Sequence, residues 1–130
     1  MDAESKAAAW VVYQLHQRKC RLKEMRERLE NDRIRFRHFR HLDSVLMVER
    51  QSIRQIEKLQ SEIAQTEAII SSVPDDLTRK IVEMRANDKS WAAVVTTVFL
   101  TEKACMSRFQ RACTALYKPM KEAGLISEKR

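Results

Sequence analysis

An all-α fold follows from three features of the sequence. Its 130 residues include one glycine and two prolines, so the tight turns that connect strands have almost nothing to be built from. Charged residues make up 33%, spread along the chain in the manner of solvated helix faces. Apolar residues recur at three, four and seven positions rather than at two, which is the period of a helix and not of a strand. The expected layout is a long helical hairpin or coiled coil over 1–73, a three-helix domain over 74–118 and a basic tail over 119–130.

The first region has no helix breaker from Ala3 to Leu42. Ala8, Leu15, Leu22, Leu29 and Phe36 recur as one heptad position, with Val11, Met25 and Phe39 at the interleaved one, so the helix carries an apolar seam. Arg18 and Asp32 interrupt the seam, and charges there must snorkel or pair. Such a helix would be roughly 60 Å long at 1.5 Å per residue and needs a partner helix. Asp43-Ser44 can cap a second helix, in which Leu46, Ile53, Ile56, Leu59, Ile63, Ile70 and Val73 keep the helical spacing. No glycine or proline marks a turn near Leu42, so two arrangements fit: an antiparallel hairpin, or one very long helix paired in a dimer.

Ser71-Ser72-Val73-Pro74-Asp75-Asp76 marks a boundary. Pro74 suits the first turn of a helix, and the two aspartates complement its N-terminal dipole. Leu77, Ile81 and Met84 then give a short helix ending near Asn87-Asp88. Ser90 is an N-cap for the next, with Trp91, Val94, Val95 and Val98 on one face. A strand over Val94 to Phe99 would satisfy local β-propensity but would have nothing to pair with. Phe99-Leu100 breaks the period and Thr101 caps a further helix, whose apolar face is Cys105, Phe109, Ala112, Cys113 and Leu116. This helix is expected to stop before Pro119, with an added turn over Met120–Gly124 closed by Gly124.

The opposite face of that last helix carries Lys103, Met106, Ser107, Gln110 and Arg111, with Arg108 at its margin. Arginine can bond guanine in two places and glutamine can do the same to adenine, while lysine and serine suit phosphate or base. The candidate DNA contacts are therefore Lys103, Ser107, Arg108, Gln110 and Arg111, with Ser90 and the amide at Trp91 placed to hold a phosphate at a helix N-terminus. Arg33, Arg37 and Arg40, near Arg35, His38, His41, Phe36 and Phe39, form a second candidate basic patch, for phosphate or for a partner protein; its bland alternative is a solvated helix face.

The segment from Leu77 to Leu116 resembles the sigma-70 region 4 type of helix-turn-helix, and the layout resembles small phage and prophage regulators. Ser90, Trp91, Val94, Val98, Thr101, Cys105 and Arg108 fall in order on that motif, and Ala112, Cys113 and Leu116 fall on its trailing apolar positions. The resemblance implies a late-gene or packaging-related transcriptional regulator that lacks the other regions of a sigma factor. Two positions depart from the pattern. Val95 replaces the usual alanine at the helix crossing, and Phe99 replaces the usual left-handed glycine of the turn. Either the turn is remodelled with Phe99 packed inward, or the motif has drifted from DNA binding.

The net charge of +7 favours polyanionic partners. The expected partners are double-stranded DNA and a second copy in a homodimer, with RNA polymerase or another phage protein as further candidates. An oligomeric packaging component resembling a small terminase subunit, or a pure protein-interaction module, is the alternative. No enzyme is expected, because the sequence offers no carboxylate pair in a cleft, no nucleophile beside a base and no glycine-rich phosphate loop. No cofactor is expected either. His16 with Cys20, and His38 with His41, have spacings a metal can use, but the pairs lie ~33 Å apart along a straight helix and no carboxylate completes them. Cys20, Cys105 and Cys113 lack paired spacing and are read as reduced thiols. The acidic start and the lack of any apolar run near ~20 residues predict a cytoplasmic protein without a membrane span.

Overall fold

The computed structural model describes residues 1–127 and is all-α: among the described residues there are five α-helices, one short 3-10 turn and no strand. They are α1 (Ala3–Arg35), α2 (Asp43–Ser71), α3 (Asp76–Ala86), α4 (Trp91–Val98) and α5 (Glu102–Glu122). Among the described residues no helix is long and apolar enough to cross a membrane.

The chain forms two compact units that do not coincide with a division at Val73-Pro74. One contains residues 1–16 and 64–130, and the other residues 17–63. The start of α1 and the end of α2 thus belong with α3, α4 and α5. Ser5, Ala8, Ala9, Val11, Val12 and Leu15 are buried in α1, whereas the later seam positions Leu29, Phe36 and Phe39 are partly or fully exposed. Asp2 starts α1 by accepting the amide of Ser5 at 2.8 Å. Ser5 is itself joined to Thr114 of α5 by a 2.7 Å hydroxyl–hydroxyl hydrogen bond, so neither oxygen is left unpaired.

α1 and α2 are separate helices. Between them Arg37–Phe39 forms a 3-10 turn, sustained by the amide of Phe39 donating to Phe36 O at 2.8 Å and that of Leu42 to Phe39 O at 3.0 Å. Tightening to 3-10 pairing changes the direction of the chain with negative φ throughout, which is why neither glycine nor proline is needed. In this unit Glu49 of α2 accepts from Arg33 of α1 at 3.0 Å and from Arg40 at 3.1 Å.

α3, α4 and α5 pack against one another. Asp75 is the N-cap of α3, accepting the Thr78 amide at 3.0 Å, and Pro74 therefore precedes the cap instead of occupying the first turn. α3 ends in a Schellman motif: Asp88 takes φ +63°, its amide donates to Arg85 O, and the Lys89 amide donates to Met84 O. α5 ends the same way around Gly124 at φ +76°, with Gly124 donating to Lys121 O and Leu125 to Met120 O.

Contrary to the expected stop before Pro119, α5 runs through it to Glu122. Proline removes the bond that would reach the Ala115 carbonyl, but Ala115 is exposed and water can satisfy it, while Met120, fully buried, anchors the final turn. The expected basic tail thus begins as helix, and residues 128–130 lie outside the described residues.

Four side chains join α1, α3, α4 and α5. Phe109 of α5, fully buried, stacks on Tyr13 of α1 with ring centroids 5.5 Å apart and meets Trp91 of α4 edge-on at 5.6 Å. The Arg85 guanidinium of α3 lies 4.4 Å from the Trp91 centroid and 5.0 Å from that of Tyr13. Its Nη1 donates to Lys89 O at 2.8 Å, while its buried Nε has no hydrogen-bond partner. Phe109→Ala removes the ring that both other aromatics touch and is expected to cost about 3–5 kcal/mol, measured by denaturant unfolding of the full chain.

Candidate nucleic-acid interface

α4 and α5 are joined by the three residues Phe99–Thr101, and both helices are capped from their own sequence. Ser90 accepts the Ala93 amide at 3.1 Å and Thr101 accepts the Ala104 amide at 3.2 Å. The β-branched residues of α4 are accommodated because Thr96 and Thr97 donate their hydroxyls back to Ala92 O and Ala93 O, at 3.0 and 2.9 Å.

Phe99 adopts the left-handed conformation, φ 58° and ψ 36°, with its amide donating to Val95 O at 3.0 Å. The turn keeps a left-handed backbone without a glycine, and the side chain is 89% exposed, so inward packing of Phe99 does not occur. The left-handed backbone at Phe99 fixes the short exit from α4, and the ring then has no core to enter. Phe99→Gly should raise stability by about 0.5–1 kcal/mol in thermal or denaturant unfolding. Relief of the left-handed strain exceeds the added chain entropy, and almost no packing is lost.

α5 divides into two faces. Cys105, Phe109, Ala112, Cys113, Leu116 and Met120 are buried, while Lys103, Met106, Ser107, Gln110 and Arg111 are exposed. The structure thus brings Lys103, Ser107, Gln110 and Arg111 onto one solvent face. Ser90 and Trp91 lie at the start of α4: the Ser90 hydroxyl is occupied as a cap, and Trp91 is half-buried with Arg85 over its ring.

Arg108 is placed differently. Its Nη1 donates to Asp75 Oδ2 at 2.9 Å and contacts Thr78 Oγ1 at 3.3 Å, so it ties α5 to the cap of α3. The hydrogen bonds from Thr78, followed by the positive charges of Arg108 and Arg79, hold the Asp75 carboxyl below the usual aspartate value. No local signal in the sequence marks Asp75 and Thr78 as partners of α5: the cap pattern is local, but the arginine arrives from 33 residues beyond Asp75. Arg85 carried no sequence signal at all.

The second basic patch belongs to the unit of residues 17–63. Arg33 and Arg40 share Glu49, and Arg37 donates from Nε to His38 Nε2 at 3.2 Å.

Burial raises the Cys105 thiol above its usual value and pushes Cys113 up to about 12, whereas Cys20 is exposed. Iodoacetamide at about pH 8 should therefore alkylate Cys20 alone in the native chain and all three thiols in denaturant, read by intact mass.

No family model matches this chain, and no curated protein or solved structure matches it.

Proposed function

We propose that this chain is a sequence-specific DNA-binding transcriptional regulator of the phage or prophage type. In this reading α3, α4 and α5 form a helix-turn-helix domain, α5 enters the major groove and α4 crosses the backbone. The paired helices α1 and α2, read as an antiparallel hairpin, dimerise and set the half-site spacing.

One observation carries the reading: α5 buries one face completely while the other presents Lys103, Ser107, Gln110 and Arg111 to solvent, directly after a short left-handed turn. Those groups match what a groove offers. Arg111 and Gln110 can each bond a purine edge in two places, and Lys103 and Ser107 can hold phosphates or reach bases at the mouth of the groove. Arg108, engaged with Asp75, serves the domain's packing in this scheme and leaves reading to Arg111. The net charge of +7 supplies the long-range attraction to DNA.

The test is sequencing of genomic fragments retained by the purified chain at about 150 mM salt, where weak non-specific binding is largely lost. Sharp peaks with a repeated half-site support the regulator; uniform retention or none rejects it. Arg111→Ala should weaken binding to the enriched site by about 1–3 kcal/mol with unchanged helical circular dichroism and melting. Arg108→Ala should instead lower the melting temperature, because it frees the cap of α3 from α5. Normal binding by Arg111→Ala would remove that residue from the interface.

A further inference from the structure

The turn between α1 and α2 carries apolar surface that its own unit leaves uncovered. Met47 is 67% exposed, Ile34 59% and Val48 57%, and Phe36, Phe39 and Leu42 are also open to solvent. Beside them lies a groove of about 260 Å³, walled by Leu29, Phe36, Val45 and Val48, with Asp32, Arg33, Arg40 and Glu49 supplying its charged groups. A contiguous apolar patch rimmed by charge is the usual mark of an interaction surface.

The groove's own lining is balanced in charge, Asp32 and Glu49 against Arg33 and Arg40, and the surplus of positive charge lies in the adjoining turn. Residues 33–41 include Arg33, Arg35, Arg37 and Arg40 and no acidic residue. Glu49 takes both Arg33 and Arg40 on one oxygen, which holds the groove's wall in shape. Arg35 and Arg37 are exposed and have no carboxylate among the described residues: Arg35 lies 5.7 Å from the Phe36 ring centroid, and Arg37 reaches only His38.

We propose that this groove is a docking site for a partner protein presenting an acidic amphipathic helix, with one or two large apolar side chains in the groove and carboxylates against Arg35 and Arg37. The occupant is fixed by shape and charge together. A concave apolar slot takes a side chain, which neither a phosphate backbone nor a flat bilayer offers. A second copy of this chain would set the same arginines against each other, at a cost of like-charge repulsion.

The test selects binders to the full chain from a displayed library of random peptides of about 16 residues, ~24 Å as helix. Selected sequences are expected to carry large apolar residues at i and i+4, or i and i+3, among Asp and Glu. Their affinity should fall at least about tenfold for Val48→Asp and for the double variant Arg35→Glu/Arg37→Glu, both at exposed positions where the helical circular dichroism spectrum is unchanged. Reselection against the double variant should exchange the acidic residues for Lys and Arg, a reversal that loss of structure cannot produce. The proposal is overturned if the selected peptides lack the acidic–apolar pattern or bind the variants equally well. It is also overturned if the variants abolish binding to phosphatidylserine vesicles while no peptide is selected, or if Val48→Asp dissolves a dimer.

Discussion

The helices around α5 depend on a cation held against two aromatic rings. The Arg85 guanidinium of α3 lies over the rings of both Tyr13 and Trp91, and Phe109 touches both rings. A guanidinium suits this place because it is planar and weakly hydrated, so it can face two π-surfaces and still donate to the Lys89 carbonyl. The unpartnered Nε is the cost of the arrangement, and the attraction of the two rings offsets it. Because the four side chains come from four helices, the cluster fixes the tilt of α4 and α5 against α3 and α1 together.

Given that frame, α5 can devote half its circumference to the core and leave the other half to solvent. The left-handed backbone at Phe99 keeps the link between α4 and α5 to three residues, so the two helices are set by their shared packing and not by a flexible loop. Arg108 stands where the two faces meet, and its bond to Asp75 locks the rotation of α5 about its own axis. The exposed residues therefore point in a direction set by buried ones.

Local rules made much of this readable from the sequence. The caps at Ser90 and Thr101, the ends of α3 and α5 at Asp88 and Gly124, and the apolar face of α5 all rest on residues within a few positions of one another. What stayed hidden depends on distance or on compensation. Arg85 looks like any surface arginine until Tyr13 and Trp91 are brought to it, and Arg108 like a free donor until Asp75 is. Pro119 obeys a rule about lost hydrogen bonds, but the buried Met120 outweighs the loss. The turn at 36–42 has no special residue because 3-10 pairing alone makes it. The solvent face of α5 was readable as a pattern, and only the fold separates Arg111 from Arg108.

Ser5 and Tyr13 reach across to Thr114 and Phe109, so the first helical turns and the last helix belong to one cooperative unit with the whole second unit inserted between them. Closure of that unit must bring together segments separated by almost the whole chain. The entropic cost rises only slowly with the length of the insert, but contacts of such long sequence separation form late. During synthesis α1 can become helical early, yet its aromatic and hydroxyl partners arrive only when α5 leaves the ribosome. Until then Ser5 lacks its hydroxyl partner and Tyr13 its ring partner, and a chain halted before α5 would carry both without them.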